Sequence, residues 1–466
     1  MNTIRLSNAA ANPAPGHRRL RESHAHIASH GESLSMLSLR DCTSVEDCLQ
    51  RLTLLATIHR SGMVGSQGAG RSMPWVRAIG ARVESWREPR WPTLAELDDA
   101  MGDIPCLIMS FDHHASCGGS AALRAAGLHA GQSIPPNGVV CADSQGRATG
   151  LLLEQAAYVA WAAAPEPTLM ERTLQVLAAL KDLASLGFVH VHDLNSQPWL
   201  GPILQQLEAS GSLPVESVWL YPPIDEFSAL RQPWESDRVR LAGAKLFADG
   251  TLNSRTALML SDYKDPLPGH PRGKAMVTTA QIDAALRHVS EASSLRDPTA
   301  ARGHLAVHAI GDGAVRMVLD AIERVSPRPD ELGITARIEH CELIDEADIP
   351  RFASLGVVCS VQPCHLLCDV EALNRYLPHR LDRVLPLREL IESGCHAGML
   401  APLGRIERVR GDAAEVWFGS DVPIVRPNPD DSIQAAVNRR RFGVPESESI
   451  APMQYISEQT AWQCFQ

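Results

Sequence analysis

The sequence predicts an α/β fold, a (β/α)8 barrel of the TIM type with insertions, and three observations support this prediction. Short apolar runs alternate along the chain with longer amphipathic segments, which is typical of βαβ units in a parallel sheet. Eight such runs follow residue 20 or so, and most are continuously apolar, as strands covered on both faces should be. Five of the runs end with a histidine, lysine or aspartate, and the functional residues of such barrels lie at the carboxyl ends of the strands.

The elements can be assigned in chain order. Residues 1–19, rich in Asn, Ala, Pro and Arg, are predicted to form a mobile lead-in, and residues 20–466 to form one barrel domain. The first strand leads into 24–27, and the others are predicted at 106–112, 187–193, 239–249, 304–310, 336–342, 356–363 and 414–421. A helix is predicted over 168–187, since its terminal glycine suits a helix end.

Two long excursions interrupt the alternation. The first is predicted as an insertion at about 60–104, with a further strand within 73–86 and a helix over 93–101. The second spans 395–413, just before the last strand. Excursions of this length in a compact domain are usually functional or disordered.

Composition narrows the classes of partner. The chain has 54 acidic and 43 basic residues, a net charge of −11 and no Lys/Arg block, which argues against nucleic acid. No stretch approaches eighteen consecutive apolar residues, and the N-terminus lacks the pattern of a secretion signal, so no membrane association is expected. Eleven cysteines without CxxC spacing suggest reduced, buried thiols. We therefore expect a soluble cytoplasmic protein.

The residues that end the strands are candidate metal ligands. His24 and His26 are two residues apart, which places both side chains on one face of a strand. His308, His340 and Asp421 end later strands, although each could instead be a hydrogen-bonded core histidine or a turn aspartate. What favours a metal site is that the five segments would present their ligands at the same end of the barrel.

Lys245 is unusual because it interrupts an apolar run, and a buried ammonium without a partner is costly. One interpretation is that its amine reaches solvent or pairs with Asp249. The other is that it has reacted with carbon dioxide to give a carbamate, an anion that can bridge two metal ions.

From about residue 22 to 440 the chain resembles the amidohydrolase superfamily, in its YtcJ-like branch (amidohydrolase family 3). The segments that carry the resemblance are WPTLAELDDA, SFDHHASCGGSAALRAAGL, GRATGLLLE, KLFADGTLNSRTAL, VHAIGDGAV, RIEHCELIDEADIPRFASLGVVCSVQP and GSDVPI.

The resemblance implies a binuclear centre, with two divalent ions that are most often Zn²⁺. It implies that His24, His26 and Asp421 hold one ion, that His308 and His340 hold the other, and that carboxylated Lys245 bridges them. A metal-bridging hydroxide would attack the substrate, and Asp421 would act as general base and then general acid.

The implied activity is hydrolysis of a non-peptide C–N bond in a small-molecule substrate: an amide, an N-substituted formamide or a cyclic amide. Two alternatives are open. The same site could serve ester hydrolysis or an isomerisation, or the chain could be an inactive relative that acts as a binding protein.

Candidate substrate contacts follow from the same resemblance. They are His114, Glu154, Arg255 and Gln362. His114 could instead be a loop histidine, Glu154 a solvated glutamate and Arg255 a structural ion-pair partner of Asp249. His113 stands where relatives usually have glycine.

Other polar residues are expected near the centre. Asp312 and Glu339 are candidates to orient metal-bound imidazoles, although strand alternation places Glu339 on the opposite face from His340. His365 follows the seventh strand and is a further candidate to line the pocket. His190 and His192 are interpreted as hydrogen-bonded barrel residues and not as ligands.

Members of the family usually carry a small β-sandwich beside the barrel. Only about twenty residues precede the first candidate ligand here, so the sandwich is expected to be missing or reduced. A barrel surface without that cover would favour either self-association, as a homo-oligomer, or poor solubility.

Overall fold

The structure is a computed structural model that describes residues 19–64, 75–111, 113, 115–128, 138–267, 269–296, 303–329, 331–398 and 414–466. The chain forms two compact units. The larger unit comprises Met1–Gly31 and Val176–Gln466, and the inserted unit comprises Glu32–Gln175. The predicted insertion at 60–104 falls within the inserted unit.

Helices and strands are numbered in chain order. The chain begins with β1 (Leu20–Ala25) and α1 (Ile27–Leu34). The next elements are β2 (Leu37–Ser38), α2 (Val45–Val64), β3 (Val76–Ala81), α3 (Leu94–Met101), β4 (Cys106–Ser110), β5 (Ala115–Gly118), α4 (Ser120–Ala125), β6 (Gly138–Ala142), β7 (Ala148–Glu154), α5 (Gln155–Ala162) and α6 (Leu169–Ser185). The rest are β8 (Phe188–Leu194), α7 (Leu200–Ala209), β9 (Ser217–Tyr221), β10 (Val239–Leu241), β11 (Gly243–Phe247), α8 (Thr279–Arg296), β12 (Gly303–Ala309), α9 (Asp312–Arg324), β13 (Ile334–His340), α10 (Ile349–Leu355), β14 (Val358–Val361), α11 (Leu366–Tyr376), α12 (Leu387–Glu392), β15 (His396–Ala397), β16 (Glu415–Phe418), α13 (Pro429–Asn438) and α14 (Glu458–Gln463).

Two parallel sheets make up the strands of the larger unit. One has the order β1-β8-β9-β10 and the other the order β11-β12-β13-β14-β16-β15. Isolated parallel bridges connect the two sheets, one between Ala25 and Val422 and one between Pro223 and Lys245. Because parallel neighbours require crossover connections, helices alternate with the strands, and the carboxyl ends of the strands lie at the same edge.

The predicted strand at 106–112 does not belong to these parallel sheets, and in that respect the prediction is wrong. Strand β4 lies in the inserted unit, where it pairs in parallel with β3 and antiparallel with β5. Two strands of the parallel sheets are absent from the prediction: β9, which lies between β8 and β10, and the two-residue strand β15, which lies at the edge beside β16. A five-residue apolar run carries no information about which sheet it joins, and this ambiguity explains the exchange.

The other predicted strands are found. They correspond to β1, β8, β10 with β11, β12, β13, β14 and β16. With β10 and β11 counted as one strand, as in the prediction, and the short β15 left out, the strands with candidate ligands stand at positions one, four, five, six and eight along the sheets.

The inserted unit has a mixed sheet with the order β2-β3-β4-β5-β7-β6. The predicted helix over 93–101 is α3, and Thr93 and Glu96 form a capping box at its start. The predicted helix over 168–187 is α6, and Gly187 follows it with a φ of +93°, in the left-handed region that glycine tolerates. Of the predicted excursion at 395–413, residues 399–413 lie outside the described residues.

A buried arginine connects strands of both parallel sheets. Arg337 on β13 donates to Glu339 Oε1 at 2.7 Å, to the carbonyl oxygen of Ser23 at 2.9 Å, and lies 3.0 Å from His192 Nδ1. Its guanidinium also lies 5.0 Å from the ring centroid of Trp417. Arg337 therefore fixes Glu339 relative to β1 and β8.

All eleven cysteines are free thiols and nine of them are buried, as predicted from their spacing. Among the helices that the structure describes, none combines the length and apolar character needed to cross a membrane.

Candidate metal centre

His24 and His26 lie at the carboxyl end of β1, and in each of them Nδ1 faces an oxygen atom of another strand. His24 Nδ1 is 2.7 Å from Glu339 Oε2, and His26 Nδ1 is 2.6 Å from the carbonyl oxygen of Leu194. Because these oxygens only accept hydrogen bonds, both Nδ1 atoms carry a proton. Burial and the nearby Lys245 lower the pKa of His24 to about 4, so this imidazole is neutral at pH 7. In a neutral imidazole of this tautomer, Nε2 keeps a lone pair that can bind a metal ion.

Asp421 follows β16 and faces both histidines. Its Oδ1 is 3.0 Å from His26 Nε2 and 3.6 Å from His24 Nε2, yet this oxygen makes no hydrogen bond to any described residue. Burial raises the pKa of Asp421, but the histidines outweigh burial and hold the pKa well below its usual value. The residue has a φ of +60°, a backbone conformation that costs a non-glycine residue about 1–3 kcal/mol and is typical of functional sites.

Lys245 on β11 points toward the imidazoles. Its side chain is buried, and its Nζ is 3.5 Å from His24 Nε2 and 5.1 Å from the ring centroid of Phe247. Burial lowers the pKa of Lys245 to about 8. No carboxylate of the described residues lies within ion-pair distance of the amine. The interpretation that it pairs with Asp249 is wrong, because Asp249 accepts instead from the backbone N–H groups of Leu258, Ile310 and Gly311.

His308 and His340 complete the cluster of imidazoles. Their ring centroids are 4.4 Å apart, and the ring of His340 is 4.7 Å from that of His24. His308 Nε2 is 3.1 Å from the carbonyl oxygen of Gly250, so its Nδ1 is the atom left for another partner. His340 Nδ1 is buried without a hydrogen-bond partner in the described ranges. The structure thus brings together all six predicted ligands.

Glu339 faces the site together with His340, although strict alternation along β13 would place the two side chains on opposite faces. His340 has a φ of +74°, so the regular geometry of β13 ends there and the two consecutive side chains both reach the cluster. Glu339 accepts from His24 and pairs with Arg337, so it orients one imidazole of the candidate ligand set. Burial raises the pKa of Glu339, but Arg337, His24 and Lys245 outweigh burial and lower it.

A second polar cluster adjoins Asp421. It consists of Glu342, His365 and Asp369, whose donor atoms lie within 4.8 Å of one another. His365 is one of the pocket residues expected from the sequence, whereas Glu342 and Asp369 are absent from the prediction. The signal for Asp369 is its spacing of four residues from His365 at the start of α11, which places both on one helix face.

Arg255 has a different partner from the one considered in the sequence. Its Nη1 donates to the backbone oxygen and the carboxylate of Asp265, at 2.8 and 3.2 Å, and its guanidinium stacks on Tyr376. The expected alternative of an ion pair with Asp249 is therefore wrong. Asp265 holds the side chain of Arg255 in this position.

The other predicted substrate contacts are only partly described. Gln362 follows β14, is buried, and its Oε1 has no hydrogen-bond partner within the described part of the chain. His114 and the side chain of Glu154 lie outside the described residues. His113 is described and has a φ of +64°, the backbone conformation for which relatives would use glycine.

Asp312 and the second histidine pair have structural partners. Asp312 accepts from the backbone N–H of Leu260 at 2.7 Å and pairs with Arg380, so the prediction that it orients a metal-bound imidazole is wrong. His190 Nδ1 contacts Ser217 Oγ, and His192 stacks on Trp219 with ring centroids 4.7 Å apart. Both are hydrogen-bonded strand residues, as predicted.

The donor atoms fit divalent metal ions. One set is His24, His26 and Asp421, and the other is His340, His365 and Asp421; within each set the atoms lie within 4.8 Å of one another. Buried atoms without hydrogen-bond partners in the described residues include His340 Nδ1, His365 Nε2 and Asp421 Oδ1. Because buried polar atoms are normally paired, such atoms are available to bind an ion, a ligand or water. Imidazole and carboxylate donors suit Zn, Mn, Fe or Co. We call these two sets, with Lys245 and His308, the metal centre.

Comparison with known proteins identifies the family of this chain. Residues 20–464 match the amidohydrolase family. The chain belongs to the amidohydrolase family. Within that superfamily it is a metal-dependent hydrolase of the YtcJ-like branch.

Individual relatives are distant but match most of the chain. It is 27% identical over 403 residues to the putative amidohydrolase YtcJ of Bacillus subtilis, a match that covers 84% of this chain and 71% of that protein. It is 25% identical over 343 residues to an N-substituted formamide deformylase of Arthrobacter pascens, covering 70% of this chain and 60% of that one. The solved structure of an uncharacterised metal-dependent hydrolase from Pyrococcus horikoshii matches with a TM-score of 0.69 at 25% identity, covering 95% of this chain and 78% of that one.

Proposed function

We propose that this protein hydrolyses a non-peptide C–N bond in a small molecule, namely an amide, an N-substituted formamide or a cyclic amide. The observation that carries the proposal is the convergence of His24, His26, Lys245 and Asp421 from distant strands, with buried donor atoms that lack partners among the described residues. The similarity to the N-substituted formamide deformylase supports formamides as the first substrates to test.

The framework of this site is proposed to be a closed (β/α)8 barrel. Apart from the two-residue strand β15, the two parallel sheets, taken together, follow chain order, and bridges connect them at Ala25 with Val422 and at Pro223 with Lys245. In such a barrel the carboxyl ends of all strands surround one site, which is where these ligands lie.

Two Zn²⁺ ions are proposed, with carboxylated Lys245 between them. His24, His26 and Asp421 would hold one ion, and His308 and His340 the other. Support for the carboxylation comes from the position of Lys245, a buried amine beside imidazoles that has no carboxylate within ion-pair distance in the described residues. Addition of the neutral amine to carbon dioxide forms an N–C bond and releases a proton, and the resulting carbamate offers two oxygen donors.

The bound cations would polarise the substrate carbonyl and lower the pKa of a bound water from 15.7 towards about 7. Asp421 would accept the proton of that water, and support for this role comes from its Oδ1, which lies 3.6 Å from His24 Nε2 and 3.0 Å from His26 Nε2. The same group then delivers the proton to the leaving nitrogen as the C–N bond breaks, a role of general base followed by general acid.

Substrate contacts are proposed for Gln362, Arg255, His114 and Glu154. Gln362 has support in the structure, because a buried amide oxygen without a partner among the described residues is available for a substrate donor. Arg255 would contact the substrate while its guanidinium stays paired with the carboxylate of Asp265. For His114 and Glu154 the support is the family resemblance.

The test is a hydrolysis assay of the zinc-reconstituted protein on N-substituted formamides, hydantoins and matched esters. Asp421→Asn keeps the size of the side chain but removes the base, and we expect kcat to fall by about 10²–10⁴-fold. Treatment with a chelator should abolish activity, and Zn²⁺ should restore it.

Asp262→Asn is the matched control, because Asp262 pairs with Arg272 at an exposed position. Faster turnover of esters than of all amides would shift the proposal to ester hydrolysis. A protein that holds two equivalents of zinc but turns over nothing in the panel, or an unimpaired Asp421→Asn variant, would refute the proposed chemistry.

A further inference from the structure

His365 repeats the arrangement of the two histidines on β1. Its Nδ1 is 3.1 Å from Glu342 Oε1, as Nδ1 of His24 faces a carboxylate and Nδ1 of His26 a carbonyl oxygen. Since a carboxylate only accepts, Nδ1 of His365 carries a proton. A carboxylate behind the imidazole is the usual support of a metal-bound histidine.

The other nitrogen of His365 faces Asp421. Nε2 of His365 is 3.7 Å from Asp421 Oδ2, and it makes no hydrogen bond to any described residue. The side chain of His365 is 9% exposed. A separation of 3.7 Å is too long for a hydrogen bond. Two atoms that bind one ion at about 2.0–2.1 Å lie about 3–4 Å apart, so the distance suits two ligands of one cation.

Asp421 therefore presents its two oxygens to two different histidine sets. Oδ1 lies 3.0 Å from His26 Nε2 and 3.6 Å from His24 Nε2, whereas Oδ2 lies 3.7 Å from His365 Nε2. His340 also belongs to the second set, since its donor atom lies within 4.8 Å of those of His365 and Asp421.

We propose that His365 is a metal ligand, which holds the second cation of the metal centre together with His340 and Asp421. This inference rests on the proposed function, because it requires that the metal centre binds two ions. Glu342 is then the residue that orients the imidazole of His365, as Glu339 orients that of His24. The family resemblance implies no ligand after β14.

The test is metal binding, independent of turnover. Metal-free protein is titrated with Zn²⁺ by calorimetry, and the bound Zn²⁺ is counted after dialysis. In a separate sample, metal-free protein is loaded with Co²⁺ and the visible absorption of the bound Co²⁺ is recorded. We expect two equivalents in the wild-type chain. His365→Ala should keep one tight equivalent, weaken the second at least about 100-fold, and change the Co²⁺ spectrum. Glu342→Gln, which removes only the orienting carboxylate, should weaken the second equivalent by about 10–100-fold.

His288→Gln is the control, because His288 is an exposed histidine that contacts the carbonyl oxygen of Phe227 and lies outside the metal centre. The His288→Gln variant should bind two equivalents of Zn²⁺. His365→Gln provides a second variant should His365→Ala fail to fold, as judged by circular dichroism, and the same loss is expected of it.

Two equivalents with wild-type affinity and an unchanged Co²⁺ spectrum in the folded His365 variant would overturn the inference, whatever happens to turnover. Failure of the wild-type chain to bind two ions would instead refute the binuclear centre of the proposed function. The two failures are therefore distinguishable.

Discussion

Replacement of Arg337 by methionine is predicted to destabilise the larger unit strongly. Methionine retains much of the apolar contact of the arginine side chain with Tyr221 and Trp417, whose ring centroids lie 5.0 Å from the guanidinium carbon. The substitution removes the positive charge that is paired with Glu339. The perturbation is therefore mainly electrostatic.

The magnitude follows from what Glu339 would lose. Its two hydrogen bonds from Arg337, at 2.7 and 3.1 Å, would disappear, and only the bond from His24 would remain to a carboxylate that is fully buried. Removal of one partner from a buried ion pair costs about 3–5 kcal/mol, because the other charge is left without compensation. We expect the free energy of unfolding to fall by about that amount.

The assay is urea denaturation followed by tryptophan fluorescence and far-ultraviolet circular dichroism, with coincidence of the two curves as the check for a single transition. Arg337→Met with Glu339→Gln should cost less than Arg337→Met alone, since the double variant leaves no unpaired charge. Arg272→Met is the control, because Arg272 forms an exposed ion pair with Asp262, for which at most about 1 kcal/mol is expected. A loss below about 1 kcal/mol for Arg337→Met would refute the reasoning, as would a double variant that is less stable than the single one.

Two further predictions concern other parts of the chain. Phe465 is buried between Phe188 and Phe418, and its ring centroid lies 5.9 and 5.5 Å from theirs. Phe465→Ala should therefore lower the free energy of unfolding by about 3–5 kcal/mol in the same denaturation assay. An unchanged free energy of unfolding would show that Phe465 does not pack there. The hydrogen bond from Arg90 lowers the pKa of Glu96 from 4.5 to about 2, so the stability that Glu96 contributes is complete above pH 4.5 and is lost as the pH falls towards 2. The difference in melting temperature between wild type and Glu96→Gln should accordingly shrink from pH 6 to pH 3, and a constant difference would contradict this assignment.

Much of the metal centre could be predicted from the sequence because its residue types stand at recognisable places. His24, Lys245, His308 and Asp421 each end or interrupt an apolar run, and parallel strands bring such ends to one edge. The motifs that carry the family resemblance then indicated which of the histidines are candidate metal ligands. His190 and His192 have the same spacing as His24 and His26, and both are hydrogen-bonded strand residues, as predicted.

Strand membership could not be predicted as well. The runs at Cys106–Ser110 and Ser217–Tyr221 are both short and apolar, yet the first joins the mixed sheet of the inserted unit and the second the parallel sheet. Local patterns report burial, whereas the choice of neighbour depends on contacts between residues far apart in the sequence.

The sequence by itself determined the family, the alternation of strands and helices, and the set of candidate ligands at the strand ends, because these depend on residue type and spacing. Only the tertiary structure decided how the polar residues pair around them. The positive φ of His340 turns its side chain to the face of β13 on which Arg337 and Glu339 lie, and the helical turn before α11 brings His365 between Glu342 and Asp421. Backbone departures of this kind arise from packing against distant segments, so no local sequence pattern encodes them.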